Sequence, residues 1–231
     1  MSNKILFGDC YLLLKELESE SIDLILTDPP YNISRESNFK NGSNNKKYNN
    51  ISLEFGEWDK EEIDLDPLFS EFKRVLKKGG TCIIFYDVWK SNTIKFYAEK
   101  WKFKQLRICQ WVKTNPVPIN SKINYLSNAL EYFYTFVKGG KPTFNSEYDK
   151  GIYHYPLCHG KERLEHPTQK PLKLIDNLIL KHSNIGDTIL DPFGGSGTTA
   201  ISCINSGRNF VIMENNQVFF EMIQKRVKQK N

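Results

Sequence analysis

The feature that most limits what this chain can become is a set of short apolar runs, separated by segments with helical spacing. Ile22–Thr27, Thr81–Tyr86, Thr188–Leu190 and Asn209–Met213 are nearly continuous in apolar residues rather than alternating with polar ones. Strands patterned this way are covered on both faces. Helices are expected where apolar residues recur every three or four positions: Leu12, Leu13, Leu14 and Leu17; Leu65, Leu68, Phe69, Phe72, Val75 and Leu76; Ile94, Tyr97 and Trp101; Leu174, Ile175, Leu178 and Ile179; Phe219, Met222, Ile223 and Val227. Lys77-Lys78-Gly79-Gly80 is expected to end the second of these, and Pro171 to open the fourth. Further strands are expected at Lys4–Phe7, Phe103–Val112 and Leu130–Val137. Strands alternating with helices predict an α/β chain with a mostly parallel sheet and helices on both faces.

A length of 231 residues supports one sizeable core. We read it as a single catalytic domain over residues 1–231. No apolar window is long enough to span a bilayer, and the N-terminal apolar run is too short for a secretory signal. The five cysteines are scattered and odd in number, which points to the reducing cytoplasm rather than to a disulfide framework. His154, Cys158, His159 and His166 fit no standard zinc spacing, so no metal is expected. The net charge of +5 is unevenly spread. Residues 1–31 hold two lysines against six acids, whereas residues 90–170 hold fourteen Lys and Arg against six acids. A basic middle beside an acidic start suits a chain that holds a polyanion at one place and does chemistry at another.

Two regions lack a core pattern. Seven of the nineteen residues from 32 to 50 are Asn, so a mobile loop is expected over roughly 32–53. Residues 113–165 are rich in Asn, Pro, Gly, Ser and Lys outside the Leu130–Val137 strand. We read them as the variable, partner-facing part. Lys46, Lys47, Arg107, Lys113 and Lys122 are the residues expected to hold such a polyanion, with Lys138, Lys141, Trp111 and Tyr125 bordering the same groove.

Gly195-Ser196-Gly197-Thr198-Thr199-Ala200 lies between a strand and a helix. Such a loop lets backbone approach a ligand closely, with the helix N–H groups aimed at it. Glu214 closes the next strand, where an acid can bind ribose hydroxyls. Together they predict a site for an adenosine-containing cofactor, either nicotinamide or S-adenosylmethionine.

Asp28-Pro29-Pro30-Tyr31 decides between them. An acceptor carboxylate, a rigid turn without N–H donors and an aromatic ring stand together at the C-terminal end of a buried strand. A flat ring bearing an amino group can stack on Tyr31 and donate to Asp28 and a backbone carbonyl. A nucleobase has that shape, and a base in a duplex must leave the stack to reach such a pocket.

These motifs resemble those of S-adenosylmethionine-dependent DNA amino-methyltransferases of the beta class. Asp28–Tyr31 is similar to their catalytic motif, and Asp191-Pro192-Phe193-Gly194-Gly195-Ser196-Gly197-Thr198-Thr199 to their cofactor motif. His166-Pro167-Thr168-Gln169-Lys170-Pro171 and Gly8-Asp9 match further cofactor-side segments. The resemblance implies a Rossmann-like methyltransferase fold with a seven-stranded sheet and a target-recognition insertion at roughly 113–165. It implies that Asp28 and the Pro29 carbonyl accept the target amine, with Pro30 fixing the turn and Tyr31 stacking. Asp191, Phe193, Gly195, Ser196, Gly197 and Thr198 would line the cofactor, Glu214 would hold its ribose with Asp9 nearby, and Thr168 and Lys170 would approach its methionine carboxylate. Asp28 would lie against the cofactor as well as the base. Adenine N6 is favoured over cytosine N4 because Asp opens the motif. Double-stranded DNA is the expected partner, with a homodimer and a cognate restriction endonuclease as further partners and no membrane. A nicotinamide oxidoreductase, a silent DNA-binding subunit and a protein-glutamine or RNA methyltransferase are the alternatives.

Overall fold

The computed structural model describes residues 3–30, 63–117 and 126–230. Tyr31, Lys46, Lys47, Lys122, Tyr125 and the loop expected at 32–53 lie outside them. The described chain runs β1 (Lys4–Phe7), α1 (Cys10–Lys15), β2 (Ile22–Thr27), α2 (Leu65–Val75), β3 (Leu76–Phe85), α3 (Ser91–Lys100), β4 (Lys104–Lys113), β5 (Leu130–Val137), β6 (Ile152–Tyr155), α4 (Leu172–His182), β7 (Thr188–Asp191), α5 (Thr198–Ser206), β8 (Asn209–Glu214) and α6 (Gln217–Lys228).

All these strands join one sheet in the order β1-β8-β7-β2-β3-β5-β4-β6. Every neighbouring pair is parallel except the two that involve β5, which runs against β3 and β4. The sheet therefore has eight strands, not the seven expected. The extra one, β6, is four residues long with only Tyr153 buried, so no apolar run announces it. Both β5 and β6 fall within 113–165 and join the sheet. β3 also begins earlier than expected. Leu76 caps α2 in an extended conformation and starts the strand at once, which puts Lys77–Gly80 inside β3.

Inward alternation splits the buried residues between two faces. Cys82, Ile84, Tyr134, Phe136, Val211 and Met213 pack with α1, α2 and α3 residues such as Leu14, Phe69, Phe72 and Ile94. Leu24, Leu26, Ile83, Phe85, Phe133 and Ile212 pack with Leu174, Leu178, Ala200 and Ile223 of α4, α5 and α6. Burying a Leu, Ile or Phe is worth roughly 1.5–3 kcal/mol, so both faces hold the strand ends firmly. β7 pairs in parallel with both β2 and β8. The turns that carry Asp28, Asp191–Gly197 and Glu214 thus emerge side by side at the C-terminal edge, where open α/β sheets bind ligands. No helix among the described residues is long and apolar enough to cross a membrane.

Candidate active site

The turns after β1, β2, β7 and β8 surround one cavity of about 370 Å³, within the usual range for small-molecule sites. Asp9, Asp28, Pro30, Asp191, Phe193, Gly195, Ser196, Thr198 and Glu214 line it, and Thr168 and Lys170 close it from the segment before α4. Residues singled out from separate motifs thus share one space. Pro29 is buried behind Asp28.

The glycine loop is shaped for close approach. Gly197 caps α5 with φ at 75°, a left-handed conformation that side chains resist. Gly195 has φ at 50°, and a Cβ there would fall 2.8 Å from His166 Nε2. The Gly194 N–H donates to the Met213 carbonyl at 2.8 Å and holds the loop on β8. The Gly195 N–H donates to Glu214 Oε2 at 2.7 Å, and the Asn216 N–H to Glu214 Oε1 at 2.8 Å. Burial raises the Glu214 pKa, and the backbone amides oppose that shift. A carboxylate oxygen accepts more than one hydrogen bond, so Glu214 retains lone pairs for a diol. Helix N–H groups, a buried acid and the rings of Phe193 and Phe219 together fit a ligand with a ribose and an adenine.

Asp191 lines the cavity and also ties its wall together. Thr27 and Thr199 donate their hydroxyls to its two oxygens at 2.9 and 2.7 Å, and the Phe193 N–H donates at 3.2 Å. Burial pushes its carboxyl up to about 7 despite these donors. Asp191 is committed to tying the end of β2 to the glycine loop, and sets ligand geometry through the loop.

Lys170 lines the cavity beside Asp28. Its ammonium pairs with Asp28 Oδ2, and Glu131 Oε2 lies 3.3 Å away. Burial works to lower the Lys170 pKa, but the Asp28 and Glu131 carboxylates outweigh it and raise the value. Its charge is thus held at the end of β2, inside the cavity lining. His166 is pushed down to about 4 by burial, Lys170 and Arg163, and packs its ring 4.6 Å from Phe219 as a neutral imidazole. Cys10 borders the cavity, but burial and Asp9 push its thiol up to about 12. It offers no thiolate nucleophile. Asp9 caps α1 by accepting the Tyr11 N–H at 2.7 Å.

The expected DNA contacts fare unevenly. Lys113 turns inward to Glu131 at 2.9 Å, with 9% of its side chain exposed. Trp111 is buried and donates to the Tyr155 carbonyl at 2.8 Å. Lys138 donates to Glu20 at 3.0 Å and to the Leu76 carbonyl at 2.6 Å. Arg107 is exposed, in the first half of β4, a strand with no residue in the cavity lining. Residues not anticipated from sequence include Thr27, Glu131, Asn216 and Phe219. Thr27 adjoins the motif and was findable; Glu131 carries no local signal.

Residues 22–225 match the profile of a family described as DNA methylase. The chain is 32% identical to the type II methyltransferase M.HinfI of Haemophilus influenzae, over 98% of this chain and 68% of that protein. It is 31% identical to the type II methyltransferase M2.MboI of Moraxella bovis, over 95% of this chain and 85% of that protein. Among solved structures, the M1.HpyAVI complex with S-adenosylmethionine superposes with a TM-score of 0.71 at 28% identity, covering 96% of this chain and 98% of that one. The cytosine-N4-specific PvuII DNA methyltransferase gives 0.73 at 17% identity, covering all of this chain and 91% of that one, which is likeness of fold alone.

Proposed function

The chain belongs to the DNA methylase family and is an S-adenosylmethionine-dependent DNA methyltransferase; from that premise we propose that it methylates the exocyclic N6 of adenine in a short sequence of double-stranded DNA. Membership displaces the nicotinamide reading of the same glycine loop. The observation that carries the proposal is that Asp28 and the glycine loop line one cavity, with Thr27 bonded to Asp191 between them.

When bound, S-adenosylmethionine supplies an electrophilic methyl group on a sulfonium. The Glu214 carboxylate holds the ribose, the loop from Phe193 to Thr198 follows the adenosine, and Asp9 and Thr168 border the remainder. An exocyclic amine is a poor nucleophile because its lone pair is delocalised into the ring. Asp28 and the Pro29 carbonyl accept its two N–H donors, which favours a pyramidal nitrogen and aims its lone pair. Tyr31 stacks on the everted base. Most of the acceleration comes from position and oriented charge. All five cysteines are buried as free thiols, which fits amine rather than ring-carbon methylation. The opening Asp of the motif supports adenine over cytosine. A second copy of the chain and a restriction endonuclease of the same specificity are the proposed protein partners; the type II names of the relatives support the latter.

Methylation of a plasmid by the purified chain, read by single-molecule sequencing, tests this. N6-methyladenine in one recurring sequence is the expected result. N4-methylcytosine would replace the base assignment, and no modified base would overturn the proposal.

A further inference from the structure

We propose that Glu131 is a positioning residue for methyl transfer, acting on Asp28 through the Lys170 ammonium that the two carboxylates share. This rests on the reading of Asp28 as the acceptor of the target amine.

Topology explains how a residue at the start of a strand reaches a site at strand ends. β5 alone runs antiparallel, so its first residues lie beside the C-terminal ends of β3 and β4. Glu131 is the second residue of β5 and pairs with Trp111 of β4. Lys113, the last residue of β4, holds Glu131 Oε1 at 2.9 Å, which turns Oε2 toward Lys170 at 3.3 Å. Lys170 in turn reaches Asp28 Oδ2. Charges alternate along this row, negative and positive, with Lys113 and Lys170 both less than a tenth exposed.

The row ends on the catalytic motif, not in the core. Buried ion pairs stabilise folds weakly compared with apolar packing, so stability alone is a poor reason for four charges here. An ammonium that paired with Asp28 alone would compete with the amine for the same carboxylate. Glu131 divides that ammonium and holds it in place, so that Asp28 is charged and fixed yet accepts a further donor.

The test is single-turnover methyl transfer to the cognate duplex by the full chain, with cofactor affinity from calorimetry and duplex affinity measured separately. Glu131→Gln keeps the shape and removes the charge. It is expected to lower the transfer rate about ten-fold, with both affinities within about two-fold of wild type. Lys170→Met is expected to lower the rate about a hundred-fold and to move the acid limb of the rate profile to higher pH, because a carboxylate that loses a cation binds protons more readily. The charged and titratable groups near Asp28 include Lys170, Glu131 and Lys113 beyond it, Asp191, and His166, which shares the cavity and feels the Lys170 charge. In the Lys170→Met background, Glu131→Gln is expected to cost nothing further, since its route is gone. Full activity of Glu131→Gln, or equal losses in both backgrounds, would overturn the proposal. If Glu131→Gln does not fold, Lys113→Met replaces it: a fall of about three-fold at unchanged cofactor affinity supports the row, and an unchanged rate overturns it. Absence of transfer by the wild-type chain would instead sink the reading of Asp28.

Discussion

The two halves of the cavity are made of different materials. On the cofactor side, the ligand surface is mostly backbone: the Gly195 and Asn216 amides, the start of α5, and an acid whose oxygens are held by those amides. On the target side it is side-chain charge: Asp28 and Lys170 at the surface, with Glu131 behind Lys170 and outside the lining, drawn from three distant segments. A backbone cradle is fixed by glycine conformation and tolerates little change in shape. A charge row is fixed by mutual attraction and tolerates changes in shape better than changes in charge. Substitutions on the two sides should therefore fail in different measurements.

The largest separation is expected from Asp28→Ala. Methyl incorporation should fall by about a thousand-fold or more, because the amine loses its charged acceptor. Cofactor affinity by calorimetry should stay within about three-fold, since the glycine loop is untouched. Retained turnover would remove Asp28 from the chemistry; lost cofactor affinity would show that the halves are not separable.

Gly195→Ala should invert that pattern. Its φ of 50° is costly for alanine, and the new methyl would fall 2.8 Å from His166 Nε2. A strain of roughly 1–3 kcal/mol should appear as cofactor binding weakened by about ten-fold to a hundred-fold. Duplex affinity should hold. Cofactor binding at wild-type strength would mean that the loop is not a tight cradle.

Glu214→Ala should act on the same side more gently. It removes a charged acceptor from the ribose and releases the Gly195 and Asn216 amides. Charged hydrogen bonds contribute about 1.5–3 kcal/mol, so cofactor affinity should fall by about ten-fold or more. Unchanged affinity would take Glu214 out of the site.

The same contrast explains what the sequence revealed. The glycine loop and its acid are contiguous, and a positive φ at Gly197 needs glycine, so spacing and residue type showed them together. Asp28–Pro30 was legible for a similar reason, because two prolines at the end of an apolar run mark a turn that nothing else needs. The row beyond Asp28 was not legible. Asp28 and Lys170 stand 142 residues apart, and Lys170 lies in a motif that suggests a cofactor role. Glu131 is one acid in a strand of aromatics, and only the antiparallel run of β5 brings it to the site. Lys113 and Trp111 show the converse, since composition cannot tell a lysine facing solvent from one turned to a partly buried acid. β6 escaped notice because Tyr and His break up its apolar run, whereas β1, equally short and also at an edge, keeps one in Ile5–Phe7.

The smallest effect is on stability and concerns the seam between the halves. Asp191 ties Thr27 of β2 to Thr199 of α5, and burial raises its carboxyl from 3.8 to about 7. Between those values the folded chain keeps a proton that the unfolded chain has released. Stability is then full, as far as this group decides it, below the unfolded value and falls as pH rises through the window. The slope approaches about 1.4 kcal/mol per pH unit, and one kcal/mol shifts Tm by about 2–4 °C in a chain of this size. Glu214, also raised by burial, adds to the fall in the same direction. Glu131 is lowered: burial raises its value, but Lys170 and Lys113 outweigh that, so its contribution is lost only in acid below the ordinary carboxylate range. Asp191→Asn cannot titrate, so its thermal midpoint, measured without cofactor, should be flatter between pH 5 and pH 7 than that of the wild type. Parallel curves for the two proteins would show that Asp191 is ionised throughout and that the seam is held as an ion, in which case its three donors outweigh its burial.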